Sequence, residues 1–150
     1  MKQLTLLIIL LATSTLVKAQ KLLSKDQLEV QKIVVEFFEA LSNRDSIALK
    51  KVSAADLVLY EYGEVWNCDT LIRKAIKLNT AIDFKRINNF DFISTTVNKN
   101  TAWTSYNLHS EIIRNGQKIS IHWLETIIAV RNEKRWEIKV LHSTLIKKTP

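Results

Sequence analysis

The sequence contains few of the residues that break or cross-link a chain: its 150 residues include two glycines, one proline and one cysteine. The single Cys68 excludes an intramolecular disulfide framework and a zinc site built on cysteines. No glycine-rich phosphate loop, HExxH motif or GxSxG motif is present, so the common enzyme signatures are absent. Hydrophobic residues make up 47% and charged residues 25% of the chain, as expected for one globular domain with a sizeable core. Composition therefore excludes disordered and fibrous proteins and identifies no function.

Residues 1–19 have the features of a secretory signal peptide. Lys2 supplies a positive start, an apolar run follows from Leu4 to Leu16, and small residues precede a cleavage site after Ala19. The apolar run is shorter than the about 20 residues that cross a membrane, which argues against the alternative of an uncleaved anchor helix. We expect residues 20–150 to form a single mature domain that is secreted or periplasmic and has no membrane association.

The chain is basic, with 22 lysines and arginines against 15 aspartates and glutamates. Removal of Lys2 and Lys18 with the signal leaves 20 basic residues, and these are spread along the sequence. The densest cluster, Lys147-Lys148, lies near the C-terminus, where a solvated tail is expected. The spread of charge and the export signal both argue against a nucleic-acid partner.

Three helices are predicted in the first half of the chain, each starting at a residue that can cap it. The predicted caps are Ser24 (with Gln27 in a capping box), Asp45 and Asp69. The apolar residues expected to face inward from the first and third helices are Leu28, Ile33, Val34, Phe37, Phe38, Leu41, Leu71, Ile72, Ala75, Ile76 and Leu78. A strand at residues 57–60 separates the second helix, which ends near Val52, from the third.

From Asp83 onward the pattern is that of four β-strands separated by turns at residues 98–100, 115–116 and 132–134. Asn115-Gly116 is a strong signal for a type I′ hairpin turn. The order α-α-β-α-β-β-β-β predicts an α+β fold in which a curved antiparallel sheet packs on three N-terminal helices.

A two-residue turn at 115–116 fixes the register of the strands on either side. The cross-strand pairs that it predicts are Tyr106–Glu125, Leu108–Trp123 and His109–His122. A three-residue loop at 132–134 would place Glu125 opposite Leu141 and Leu124 opposite His142.

Alternation of side chains divides these strands into two largely apolar faces. One face is expected to carry Thr104, Tyr106, Leu108, Ser110, Ile121, Trp123, Glu125, Ile127, Leu141 and Ser143. The other is expected to carry Trp103, Asn107, His109, His122, Leu124, Thr126, Ile128, Trp136, Ile138, Val140 and His142. Because the helices cover only the first face, the second is expected to form a homodimer.

Three stretches of sequence carry a family resemblance. They are Phe37-Phe38-Glu39-Ala40-Leu41 with Asp45, then Glu125-Thr126 followed by Arg131–Ile138, and finally His142 with Thr144. In these stretches the chain resembles the nuclear transport factor 2-like superfamily, which includes ketosteroid isomerase and SnoaL-like cyclases, and within it an exported branch. The resemblance implies a cone-shaped sheet with a pocket between the sheet and the helices. Lys134 stands where relatives usually have a glycine in a left-handed turn.

The resemblance does not extend to the isomerase machinery. The positions of its catalytic tyrosine, its aspartate base and its protonated aspartic acid fall on Phe37, near Tyr60 and on Ile127. Phenylalanine and isoleucine neither donate nor accept a proton, so that mechanism cannot operate here. The arginines of the related kinase association pocket are also absent, at Ile127 and Ser143.

Tyr106 and Glu125 are the catalytic candidates. A carboxylate beside Trp123 in a closed cone is expected to have a raised pKa, and a neighbouring phenol could donate a proton. A purely structural hydrogen bond between the two side chains is the alternative. The residues expected to line the pocket are Tyr60, Tyr62, Trp66, Leu108, Trp123, Ile127, Leu141 and Ser143. The first three could stack on a flat apolar ligand at the mouth of the cone or be ordinary core or rim residues.

His109, His122 and His142 are predicted to lie near one another on the second face. Because no carboxylate is expected beside them, we expect interface histidines and no metal site. Cys68 is expected to be an ordinary buried thiol. No cofactor is expected.

These observations lead to a primary functional hypothesis and two alternatives. The first is an exported small domain that binds a small apolar or aromatic molecule in the cone. The second is a SnoaL-like isomerase, cyclase or dehydratase that uses Glu125 as base and Tyr106 as acid. The third is an interaction module that works through its dimer surface.

Overall fold

The structure is a computed structural model that describes residues 22–150. The predicted signal peptide and its cleavage site lie outside the described residues. Within residues 22–150, no helix is both long and apolar enough to cross a membrane.

Helices α1 (Lys25–Ser42) and α2 (Ser46–Lys51) begin at the predicted caps. The Gln27 amide donates to Ser24 Oγ (3.3 Å), and the Ser24 amide donates to Gln27 Oε1 (2.8 Å), which completes the capping box. Asp45 Oδ1 accepts the amides of Ile47 and Ala48, both at 2.9 Å. These two helix starts are therefore confirmed.

Helix α3 (Cys68–Leu71) continues as a π-helical segment, Ile72–Lys77, and its predicted cap is wrong. Asn67 caps the helix by accepting the Thr70 amide at 2.9 Å, and Asp69 lies inside the first turn. The wider π-helical turn, in which the Leu78 amide donates to Arg73 O, rotates Leu78 away from the core. Leu78 is therefore 65% exposed instead of inward-facing.

Leu28, in the first turn of α1, is also exposed, by 53%, and does not face inward as predicted. The buried face of α1 begins at Val30 and includes the predicted Ile33, Val34 and Leu41.

Six strands form one mixed sheet, which confirms the predicted fold class. They are β1 (Ser53–Glu61), β2 (Glu64–Asn67), β3 (Lys85–Asn98), β4 (Thr101–Arg114), β5 (Gln117–Asn132) and β6 (Arg135–Thr149). Their order in the sheet is β2-β1-β6-β5-β4-β3, and β1 runs parallel to β6 while all other neighbours are antiparallel. The parallel pair and the short strand β2, which follows a turn at Tyr62-Gly63, are the additions to the predicted layout.

The β4–β5 hairpin has the predicted register. Asn115 and Gly116 have positive φ angles of 52° and 74°, as a type I′ turn requires. Asp83 holds this turn by accepting both backbone amides, at 2.8 Å and 2.6 Å. The predicted pairs Tyr106–Glu125, Leu108–Trp123 and His109–His122 all form.

The predicted register of β5 and β6 is wrong. Asn132 pairs with Arg135, so the turn has two residues, and Glu133 takes the left-handed conformation (φ 54°). Lys134, which stands where relatives usually have a glycine, therefore follows the left-handed residue and does not itself adopt a positive φ angle. This turn and an extra residue at Lys139 each shift the register by one position, so Glu125 lies opposite Ser143, not Leu141, and Leu124 lies opposite Thr144, not His142.

A β-bulge at Lys139 changes which side chains of β6 face inward. Ala129 pairs with Ile138 but Ile128 pairs with Val140, so Lys139 is an extra residue in the strand. Trp136 and Ile138, which were expected on the outer face, are consequently buried in the core. Beyond the bulge Leu141 and Ser143 face inward, as predicted.

The core lies between the concave face of the sheet and α1, which packs on β3, β4 and β6. Its largest fully buried side chains are Phe37, Leu49, Leu57, Leu59, Tyr106, Leu108, Ile127, Ile138 and Leu141. At the end of the cone next to the π-helical segment, this packing gives way to a cavity.

Candidate functional site

A cavity of about 300 Å³ opens between the sheet, α1 and the π-helical segment. Its walls are largely apolar and include Phe37, Phe38, Leu41, Leu59, Leu71 and Ile112. Its polar side chains include Glu61, Tyr62, Asn79, Arg86 and Glu125, with Lys74, Arg114 and Lys148 as further cations. The cavity thus combines an apolar wall with a small set of charged groups, as ligand sites usually do.

The sheet brings four polar side chains into one row. Glu125 on β5 lies between its cross-strand partners Tyr106 on β4 and Ser143 on β6. Because Tyr60 on β1 pairs with His142, the next residue, Glu61, lies beside Ser143. Four neighbouring strands therefore present Glu61, Ser143, Glu125 and Tyr106 side by side on the inner face.

The carboxyl group of Glu125 is buried, and only one of its two oxygens has a hydrogen-bond partner. Its side chain is 3% exposed, Ser143 Oγ donates to Oε1 at 2.8 Å, and the described residues give Oε2 no partner. Burial raises the pKa of Glu125 to about 7, and the negative charge of Glu61 adds to this rise, while Ser143, Tyr106 and Arg86 oppose it. At neutral pH the group is therefore available in both protonation states.

Tyr106 lies behind the cavity wall and does not line it. Its ring packs against those of Phe38, Phe90 and Phe92, with centroid distances of 6.4, 5.9 and 5.5 Å. Burial raises the pKa of Tyr106 well above its ordinary value, and its hydroxyl lies near Glu125 without a well-formed hydrogen bond. Tyr106 thus lies close enough to Glu125 to influence its pKa. Because Tyr106 does not line the cavity, it could not donate a proton directly to a ligand there.

Arg86 is a cation inside the cone that sequence reasoning missed. Its Nε donates to Asn88 Oδ1 (2.8 Å) and its Nη2 to Ser110 Oγ (3.2 Å). The guanidinium also lies 5.3 Å from the ring centroid of Phe38 and 5.5 Å from that of Trp123. Burial lowers its pKa, but an arginine remains charged at neutral pH. The signal that could have found it is the alternation through β3, which puts Arg86 on the inner face.

Glu61 is the second carboxylate of the cavity, and sequence reasoning missed it. It follows Leu57 and Leu59 on the inner face of β1, so the alternation alone could have placed it there. Burial raises the pKa of Glu61, while the nearby Ser143 hydroxyl and the charge of Arg86 act in the opposite direction. Ser143 therefore lies between two carboxyl groups that both favour protonation.

Aromatic residues and a lysine form the mouth of the cavity. Trp66 Nε1 donates to Glu64 Oε2 at 2.6 Å, and Lys74 forms an ion pair with the same oxygen. The Lys74 ammonium also lies 4.3 Å from the centroid of the Trp66 ring. These contacts fix the position of Trp66 at the cavity, which Tyr62, 59% exposed, also lines.

The predicted pocket residues divide into three groups. Tyr62, Trp66 and Leu141 line the cavity, and Ser143 reaches it through Glu125. Leu108, Trp123 and Ile127 are buried core residues that do not line it. Tyr60 lies on the outer face, 6.2 Å from the His142 ring, because its neighbour Leu59 faces inward.

The three histidines do not come together. His109 and His122 stack with ring centroids 4.1 Å apart, and His122 Nε2 lies 2.9 Å from Asn107 Oδ1. His142 lies opposite Thr126, next to Tyr60. Within residues 22–150, no group of three or more histidine, cysteine or acidic side chains could hold a metal ion. Cys68 is half-buried, and burial raises the pKa of its thiol.

Comparison with known proteins gives a result for structure only. No protein-family model and no curated protein sequence matches the chain. A conserved protein from Planctomyces limnophilus is 15% identical with a TM-score of 0.73, covering 81% of this chain and 98% of its own. An NTF2-like protein from Cytophaga hutchinsonii is 14% identical with a TM-score of 0.68, covering 83% and 100%. A type 2 hexachlorocyclohexane dehydrochlorinase is 13% identical with a TM-score of 0.68, covering 83% and 88%. At these identities the similarity shows the fold, so the expected nuclear transport factor 2-like fold is confirmed.

Replacing Glu125 by glutamine tests the state of the buried carboxyl group. Because its pKa is raised from 4.5 to about 7, the folded chain binds this proton more tightly than the unfolded chain does. Wild-type stability should fall by about 3 kcal/mol as the pH rises from 4.5 through 7, and the Glu125→Gln curve should lack this loss. Urea unfolding between pH 4 and 8 measures both curves, and superimposable curves would show that Glu125 has an ordinary pKa.

Proposed function

We propose that this chain, which has the nuclear transport factor 2-like fold, binds one small, largely apolar molecule in its cavity. The observation that carries the proposal is the cavity of about 300 Å³ with walls of aromatic and aliphatic side chains. Burial of apolar ligand surface against such walls supplies most of the affinity, and the few polar groups orient the ligand. Tyr62 and Trp66 at the mouth provide flat surfaces for an aromatic ligand.

Proton transfer by Glu125 is a second candidate function. Its pKa of about 7 suits a general base or acid at neutral pH, and Oε2 lacks a partner although the residue lines the cavity. One similar structure is that of a hexachlorocyclohexane dehydrochlorinase, so this fold can hold an enzyme of the elimination type. An isomerase, cyclase or dehydratase reaction would then use Glu125 as base, with Arg86 rather than Tyr106 in contact with the substrate.

Export of the mature domain is a further part of the proposal. It is supported by the lysine, the apolar run and the small residues of the segment from Met1 to Ala19. Such a domain would meet its ligand in the periplasm or outside the cell.

A homodimer through the outer face of the sheet is also proposed. Ile128 lies between its cross-strand neighbours Trp103 and Val140, and both Ile128 and Trp103 are exposed in the single chain. Leu124, on the same face of β5, extends this apolar row. Ile138, which was expected to be part of the surface, is buried in the core and cannot contribute.

Filling the cavity should abolish ligand binding. Ala75 lines the cavity, and Ala75→Phe adds a ring in the space that a ligand would occupy. The fluorescence of N-phenyl-1-naphthylamine, a neutral apolar probe, should rise on addition of the wild-type protein and respond at least tenfold more weakly to the variant. Ala55→Phe, at an exposed position of β1, is the control and should bind as the wild type does. Equal binding by all three proteins would place the probe elsewhere.

Whether Glu125 can act as a base can be tested with a small activated substrate that the cavity does not need to recognise specifically. The ring of 5-nitrobenzisoxazole opens when a base removes its carbon-bound proton. The wild-type rate should rise with pH about a midpoint near 7, and Glu125→Gln should lower it by roughly 10²-fold or more. Glu111→Gln removes an exposed carboxylate outside the cavity and should leave the rate unchanged. A rate that is insensitive to Glu125→Gln would contradict the enzymatic candidate.

A charge on the outer face should separate the proposed dimer. Ile128→Glu places a carboxylate between Trp103 and Val140, where a second chain would bury it without a partner. Sedimentation velocity should show a dimer for the wild type and a monomer for the variant. Ile47→Glu, at an exposed position of α2, should remain dimeric. A monomeric wild-type protein would disprove the dimer.

A further inference from the structure

Arg86 has one guanidinium nitrogen that the protein does not use. Nε and Nη2 are fixed by Asn88 and Ser110, and the described residues give Nη1 no hydrogen bond. Arg86 lines the cavity, and the Phe38 and Trp123 rings beside it restrict its orientation. A donor held in this way is pre-organised for an acceptor in the cavity, since little side-chain freedom would be lost on binding.

The carboxylates of the cavity do not neutralise Arg86. No carboxylate within residues 22–150 forms an ion pair with its guanidinium. Glu125 is instead held by Ser143, which also lies against Glu61. Both carboxyl groups interact with Arg86 only through the longer-range field.

Further positive charge surrounds the same space. Arg114 and Lys148 line the cavity and form no ion pair with any carboxylate of the described residues, whereas Lys74 is paired with Glu64. The cavity therefore holds more positive charge than its two carboxyl groups can balance, and the excess increases when either of them is protonated.

We propose that the molecule bound in the cavity carries one oxyanion, such as a carboxylate, which accepts hydrogen bonds from Arg86, and that its binding adds a proton to Glu125. The inference rests on the proposed function, because it specifies the class of small apolar molecule that the cavity takes. The apolar part contacts the walls near Phe38 and Leu41, and the anionic group faces Arg86. Charge-assisted hydrogen bonds of this kind are stronger than those to a neutral acceptor.

The groups that surround Glu125 explain why it should take up a proton when an anionic ligand binds. A second negative charge near Glu125 disfavours its ionised form, in the same direction as its burial. The titratable or charged side chains that face it are Glu61 and Tyr62 from the β1–β2 hairpin, Arg86 from β3, Tyr106 and Arg114 from β4, Lys148 from β6 and Lys74 from the π-helical segment. Helix α1 contributes only the apolar Phe37, Phe38 and Leu41 to the cavity. Arginine and lysine side chains in general already carry their proton at neutral pH, so the two carboxyl groups of the cavity, Glu125 and Glu61, are the groups that can take up a further one.

Two ligands of matched shape test the charge preference in the wild-type protein. 2-Naphthoate and 2-naphthamide differ in the negative charge and share the apolar ring system. At pH 6.5 naphthoate should displace N-phenyl-1-naphthylamine at concentrations at least tenfold lower than naphthamide. This preference should decrease as the pH rises from 6.5 to 8.5, because the ionised Glu125 repels the anion. Calorimetry in buffers of different ionisation enthalpy should show net proton uptake when naphthoate binds at pH 7.5.

Two variants assign the preference to Arg86. Arg86→Gln keeps a hydrogen-bond donor but removes the charge, and it should bind both naphthalenes equally. Arg73→Gln removes a charge from the exposed surface beside the cavity and should keep the wild-type preference. If Arg86→Gln does not fold, the pH series on the wild type still decides the result.

The outcomes separate this inference from the proposed function. If the neutral probe binds but naphthoate displaces it no better than naphthamide, the inference is wrong and the apolar site remains. Naphthoate binding without proton uptake would overturn the role of Glu125. If neither the probe nor either naphthalene binds, the proposed function fails and this inference fails with it.

Discussion

The β-bulge at Lys139 is the constraint on which the core and the site both depend. On one side of it Trp136 and Ile138 are buried in the core, and on the other side Leu141 lines the cavity and Ser143 faces inward beside Glu125. An uninterrupted strand alternates strictly, so residues 136 and 138 could not share a face with 141 and 143. The Lys139 ammonium, freed from the sheet face, pairs with Asp56 on β1 at 2.6 Å. One extra residue thus lets a single strand fill the core and hold Glu125.

The buried charged groups Glu125 and Arg86 on the inner face lower the stability of the fold. A carboxyl group buried with one unpartnered oxygen, and a guanidinium inside the cone without an ion pair, both lose hydration that the protein only partly replaces. Leucine or methionine at these positions would satisfy packing at lower cost. Groups that disfavour folding and meet at a cavity are the usual mark of a binding or catalytic site, since the ligand supplies the missing interactions. Glu125 and Arg86 fit that description better than Tyr106, which is enclosed by aromatic rings.

A feature of the fold or site could be predicted from the sequence where a few neighbouring residues determine it, and was missed where residues distant in the sequence decide it. Asn115-Gly116 specifies its turn through two residues, and from that turn simple counting placed Tyr106 opposite Glu125. The length of the turn at Glu133 and the bulge at Lys139 have no such local signature, so the β6 register and the positions of Trp136 and Ile138 were wrong. The cap at Asn67 was missed because Asn67 and Asp69 are both good capping residues, and only the path of the chain after β2 decides between them. Alternation could have placed Arg86 and Glu61, but their partners on other strands depend on the complete sheet.

The same physical reasoning explains how one cone can support different chemistry. Phe37 and Ile127, the positions at which the family resemblance would place two proton donors of the isomerase, are apolar and lie in the buried core. The charged groups enter instead from the end of β1, from β3 and from the middle of β5, at Glu61, Arg86 and Glu125. Since the backbone fixes only which positions face inward, exchanging polar and apolar residues among those positions relocates the reactive group without altering the fold. The sheet therefore determines which positions face the cavity, and in the binding proposed above Arg86 and the carboxyl group of Glu125 would determine which ligand fits there.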